Sequence, residues 1–115
     1  MRKAIVTGGS GYFGGLLCKQ LVDKGWFVNN IDINPPIHSL DNYEYTKGDI
    51  RDITKIEDAF NCVDTIFHNV ALVPITKSSN YEETNLFGTK NTIEIAIKKN
   101  INSFIYTSSL SLIHI

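Results

Sequence analysis

Residues 3–25, "KAIVTGGSGYFGGLLCKQLVDKG", decide how the rest of the chain is read. Gly8, Gly9, Gly11, Gly14 and Gly15 crowd into eight positions between an apolar run and an amphipathic one. Glycine weakens strands and helices alike, so its concentration here needs a purpose. Lys3–Thr7 reads as a short buried strand. Gly11–Lys24 reads as a helix, with Phe13, Leu16, Leu17, Leu21 and Val22 as the apolar stripe. Gly25 is placed to stop it.

A strand that enters a helix through glycines has a use for them. Two patterns overlap, Gly9-x-Gly11-x-x-Gly14 and Gly8-x-x-Gly11-x-x-Gly14. In either, one glycine allows a tight turn, another lets a pyrophosphate approach the backbone, and the last seats the helix on the sheet. The helix N-terminus then offers free N–H groups and the positive end of its dipole. A glycine triplet alone is weak evidence. Here it follows a strand, opens a helix and has an acid, Asp32, about twenty residues further on. A carboxylate at that strand end accepts ribose hydroxyls and repels a 2′-phosphate, which favours NAD over NADP. A phosphate loop of the Walker type is excluded, because no Gly-Lys-Ser/Thr closes the stretch. In "GDIRD", Asp49 and Ile50 are candidates to hold an adenine, by its amino group and its face respectively.

The remaining chain alternates in type. "WFVNNIDI" is a second strand, stopped by "NPP", since proline cannot continue a central ladder. "YEYTKGDI" is a third strand and "DITKIEDAF" one or two helical turns. "VDTIFHNV" is a fourth strand and "INSFIYTSS" a fifth. Between them, "SSNYEETNLFGTKNTIEIAIKKN" is a long helix with a Ser79/Glu82 capping box and Leu86, Ile93 and Ile97 turned inward. The expected fold is α/β: a doubly wound, Rossmann-type parallel sheet of about five strands in the order 3-2-1-4-5, with helices on both faces. Ligands of such sheets bind at the carboxyl ends of the strands, where the strand order reverses.

Composition narrows the field. With 115 residues the chain is one small domain at most. A net charge of −1 gives no electrostatic case for nucleic acid or an anionic membrane. No apolar run is long enough to span a bilayer, and glycines interrupt the first one too early for a signal peptide. Cys18 and Cys62 lie far apart, with no CxxC, and are expected to be reduced core thiols of a cytoplasmic protein. The three histidines make no metal-binding spacing, so no metal is expected.

"TGGSGYFG", Asp32, "GDIRD", "FHNVALVP", "NLFGTKNTIEIA" and "FIYTSS", in this order, resemble an extended short-chain dehydrogenase/reductase. This is the NAD-dependent epimerase/dehydratase family, with its 3β-hydroxysteroid dehydrogenase-like branch. The resemblance runs from Met1 to about Ser109 and points to no particular substrate. It implies cofactor-binding roles for Gly8, Gly11, Tyr12, Phe13 and Gly14 in the loop, for Asp32, and for Asp49 with Ile50. It extends them to Asn69, Val70 and Ala71 after the fourth strand, where Val70 is larger than the family's usual small residue. It also gives Asn85 the place of the asparagine in the family's NxxGT, and Ser109 that of its catalytic Ser/Thr.

One family feature has no counterpart in place. Proton transfer there belongs to a Tyr-x-x-x-Lys pair beyond the serine, and here only Tyr43 and Lys47 fit the letters, in the third strand. The expectation is therefore an incomplete dinucleotide-binding domain without its substrate-binding region, with an exposed apolar fifth strand prone to self-association. Two functions follow from this. One is the NAD-binding part of an enzyme that transfers hydride at an alcohol carbon of a nucleotide-sugar or sterol-like substrate. The other is a dinucleotide-binding module without turnover.

Overall fold

The computed structural model describes residues 1–70 and 79–108, with side chains for 1–69 and 86–107. Five strands, β1 (Lys3–Thr7), β2 (Phe27–Asp32), β3 (Tyr43–Lys47), β4 (Thr65–Val70) and β5 (Ser103–Ser108), form one sheet in the order β3-β2-β1-β4-β5. All four pairings are parallel, as the sequence leads one to expect. The chain moves outward from β1 to β3, then returns to place β4 on the other side of β1. The ends of β1 and β4 therefore bound the crevice at which strand order reverses.

The alternation of side chains along β1 sorts the core into two layers. Ala4 and Val6 face helix α1 (Tyr12–Asp23) and pack with Cys18, Leu21 and Val28. Ile5 faces the other way and packs with Ile31, Ile66 and Phe60, under helix α2 (Ser79–Lys98) and a 3-10 segment over Ile50–Phe60. Helix α1 ends as its glycine implies. Gly25 takes φ +92° just past the cap residue Lys24. Its N–H bonds Val22 O, and that of Trp26 bonds Leu21 O, which closes the helix in a Schellman motif.

The expected stripe of α1 holds for Leu17, Leu21 and Val22, which pack on the core, and fails for Phe13 and Leu16, while the expected inward face of α2 is turned outward. In α1 the buried residues are Gly14, Cys18 and Leu21, whereas Phe13 and Leu16 are exposed. In α2 the buried residues include Thr92, Ile95 and Ala96, whereas Leu86 and Ile97 are 72% and 71% exposed and Ile93 is exposed as well. The cause is close approach. The faces against the sheet mix small residues such as Gly14, Thr92 and Ala96 with Leu21 and Ile95, and the remaining large apolar residues stand off to the side. Of the two thiols expected in the core, one is there. Cys18 is buried, and burial pushes its pKa up to about 12. Cys62 is exposed, in a turn at φ +60°. The Ser79/Glu82 capping box falls on side chains outside the described ones.

A β-carbon built on Gly14 would lie 2.1 Å from the carbonyl oxygen of Gly8, while one on Gly15 meets only Gly9 O, at 3.6 Å. Gly14→Ala is therefore expected to lower the unfolding free energy by about 2 kcal/mol or more. Gly15→Ala, one residue away, should be neutral or stabilise by up to about 1 kcal/mol. Urea denaturation of the two variants checks the difference.

Candidate dinucleotide-binding site

The glycine loop divides its labour among named positions. Gly8 continues the β1–β2 ladder through its N–H to Ile31 O, then turns with φ +70°. Gly14 brings α1 against the loop's backbone. Gly11 is the helix N-cap, at φ −77°, and no side chain caps the helix there. A β-carbon on Gly11 would meet only Gly8 O, at 3.5 Å, so the space in front of it is open. Gly9 serves a different end: its missing side chain makes room for Asn30 Oδ1 beneath the loop, 2.4 Å from where a β-carbon would stand. The Gly8/Gly11/Gly14 pattern thus supplies the turn, the open N-cap and the close helix approach, whereas Gly9 makes room for Asn30. Tyr12 and Phe13 occupy the first turn of α1 with exposed side chains.

Asp32 ends β2 beside this loop. Its Oδ2 accepts the N–H of Ser10 and its Oδ1 that of Asn34, each at 3.0 Å. The carboxylate is oriented by two backbone donors and keeps lone pairs for other hydroxyls. Its own carbonyl accepts from the Tyr45 hydroxyl and from Gly48 N–H.

Beneath lies Asn30, a residue the sequence reading passed over. It is fully buried, and its Nδ2 donates to Ser10 Oγ and to the Tyr43 hydroxyl, each at 2.9 Å. Ser10 Oγ donates onward to Asn34 O at 2.7 Å. Asn30 Oδ1 has no hydrogen-bond partner among the described residues. The sequence did carry a signal, since two asparagines in the middle of "VNNID" are out of keeping with a central strand.

On the β4 side, Thr7, His68, Asn69 and Thr107 tie three strand ends together. Thr7 Oγ1 lies 2.7 Å from His68 Nδ1 and accepts the N–H of Asn69 at 3.1 Å. Asn69 Nδ2 donates to Thr7 O at 3.0 Å, and its Oδ1 accepts the Thr107 hydroxyl. The side chain of Asn69 is thereby spent on the scaffold, and its backbone is what the crevice receives. His68 Nε2 lies 2.9 Å from Thr89 Oγ1 on α2.

Asp49 caps the 3-10 segment by accepting Arg51 N–H, and pairs with the Arg51 guanidinium. That pairing holds its carboxyl below the usual range. Ile50 is half-buried against the α2 backbone, its Cδ1 2.6 Å from where a β-carbon on Gly88 would stand. The candidates Ala71 and Ser109 lie outside the described residues, as do the side chains of Val70 and Asn85.

The family model described as the 3-beta hydroxysteroid dehydrogenase/isomerase family matches residues 5–114. The chain belongs to that family. Within it, the chain is 43% identical to the uncharacterized protein y4nG of Sinorhizobium fredii over 95% of its length, and covers 28% of that protein. It is 30% identical to the 3 beta-hydroxysteroid dehydrogenase/Delta 5-->4-isomerase of Mycobacterium tuberculosis, over 96% of this chain and 32% of that one. A solved UDP-glucose 4-epimerase from Bifidobacterium longum, in complex with NAD+ and UDP, superposes with a TM-score of 0.80. Its identity is 25%, over 93% of this chain and 37% of that one. The chain thus spans about a third of the length of these relatives.

His68 gives the site a pH signature. Burial pushes its pKa from 6.5 down to about 4. Between those values the unfolded chain binds a proton that the folded chain refuses. Unfolding free energy should therefore fall as pH drops through this window, by up to roughly 3 kcal/mol, and the loss should level off below it. Urea unfolding at steps from pH 7 to pH 4 measures the slope, which His68→Gln should flatten.

Proposed function

We propose that this chain is the NAD-binding part of an enzyme that moves hydride to and from an alcohol carbon of a nucleotide-sugar or sterol-like substrate. The observation that carries this is the pairing of an uncapped, open helix N-terminus at Gly11 with the oriented carboxylate of Asp32 at its side. The relatives named above support the same reading, since one is a dehydrogenase/isomerase and another is a solved epimerase in complex with NAD+.

The residues fit such a cofactor. N–H groups of the first α1 turn would meet the pyrophosphate, and Asp32 the adenosine ribose. Asp49 and Ile50 would border the adenine, Asn69, Val70 and Ala71 would line the cofactor's ribose and pyrophosphate, and Asn85 would tie the α2 backbone to neighbouring strands near the active site. The chemistry a bound nicotinamide supplies is reversible hydride transfer. Ser109 would donate a hydrogen bond to the substrate oxygen. A second reading, a dinucleotide-binding module without turnover, is favoured by one observation. The lettering Tyr43-x-x-x-Lys47 sits on β3, at the opposite edge of the sheet from β5, with the Tyr43 hydroxyl engaged by Asn30. A general acid must reach the proton it moves.

Titration with NADH and NADPH tests the proposal. NADH should bind at least about tenfold more tightly, because a 2′-phosphate would face the Asp32 carboxylate. Tighter binding of NADPH would overturn the assignment. Gly11→Leu should keep the fold, since φ −77° suits any residue and its side chain enters open space, yet abolish binding. Unchanged affinity in that variant would refute the phosphate-loop role. Reduction of NAD by this chain with an alcohol substrate would exclude the module.

A further inference from the structure

His68 is fully buried, and its described partners are Thr7, Thr89 and the rings of Phe104 and Tyr106. The rings stand 5.8 Å and 6.1 Å away, centroid to centroid. An apolar side chain could fill such a place without the cost of burying two ring nitrogens, a cost met only when both are bonded. Both are. Thr7 Oγ1 also accepts the Asn69 N–H. In either tautomer of the neutral ring one nitrogen donates and the other accepts, so both bonds are made.

The imidazole thus links three elements in one line: α2 through Thr89, β4 through its own backbone, and the last residue of β1 through Thr7. Thr7 immediately precedes Gly8, and Asn69 stands beside it, with Asn69 Cβ 3.6 Å from a β-carbon built on Gly8. The residue before Thr89, Gly88, is the one against which Ile50 packs. One dipeptide of α2, Gly88-Thr89, is therefore seated against both Ile50 and the imidazole that steadies the glycine loop.

We infer that His68 is a positioning residue, a strut through which Thr89 on α2 holds the Thr7–Asn69 wall of the crevice and so sets dinucleotide affinity without touching the ligand. The inference rests on the dinucleotide-binding reading. The test uses the unaltered chain, Thr89→Val and Thr89→Ser, each followed by NADH titration and by 1H–15N spectra of the ligand-free protein. Thr89→Val should weaken NADH binding about fivefold, the worth of one lost hydrogen bond, and Thr89→Ser should restore it. The amide signals of Gly8 and Asn69 should move in the valine variant and return in the serine variant.

NADH binding unchanged in Thr89→Val, or failure of serine to restore it, overturns the inference. If the unaltered chain binds no NADH, the functional reading fails, and the strut is judged by the spectra alone. Gly8 and Asn69 signals unmoved by Thr89→Val would then remove it. The ring spectrum of the unaltered chain decides even if Thr89→Val fails to fold. Nitrogen shifts that show both ring nitrogens hydrogen-bonded agree with the strut, and a ring nitrogen without a hydrogen bond refutes it.

Discussion

The α-carbon of Gly14 lies so near the Gly8 carbonyl that no side chain fits between them. Much else at the head of the sheet depends on that contact. It fixes how close α1 comes to the loop, and so where the uncapped N–H groups of the first turn point. It requires Gly8 to turn with positive φ directly after the last β1 pairing. Gly11, the helix N-cap, faces open space. A phosphate there would complete hydrogen bonds that the sequence leaves without a capping side chain.

Two polar networks hold the loop, one from each side. Toward β2 and β3, Asn30 joins Ser10 to Tyr43, and Ser10 reaches Asn34, so the carboxylate of Asp32 has its donors in fixed places. Toward β4 and β5, Thr7, His68, Asn69 and Thr107 bind neighbouring strand ends to one another. Buried polar groups of this kind are expensive unless nearly all are satisfied. Their return is geometric. Apolar packing is tolerant of small shifts, whereas a chain of directional bonds fixes the distance between two strand ends.

The sequence disclosed the parts that depend on near neighbours. β1, the glycine turn, the Gly25 stop and Asp32 are legible because each is set by local backbone chemistry. The alternation of strands and helices then gave the strand order. The inward face of α2 was misread, because counting apolar letters rewards Leu86, Ile93 and Ile97, while close approach to the sheet selects Thr92 and Ala96 beside Ile95. Asn30 and His68 were undervalued for another reason. Their partners lie between 13 and 61 residues away along the chain, on elements that meet only after the sheet has formed. That His68 packs at a strand end is legible, but its partners are not until Thr7 and Thr89 are known to flank it.

The same division explains why family was readable and substrate was not. The crevice is built from backbone N–H groups, glycines, strand-end carboxylates and hydroxyls, at positions set by the parallel sheet itself. Such groups recognise what dinucleotides share: a pyrophosphate, a ribose diol and a flat base. They carry little information about any second ligand, and so do not separate relatives that differ in it. Ser109 stands at the border of these groups in the chain, one residue past the last described residue of β5. Up to that border, the physics of the fold and the chemistry of the cofactor impose the same constraints. Past it they separate, and relatives as different in name as a hydroxysteroid dehydrogenase and a sugar-nucleotide epimerase become compatible with one set of strands.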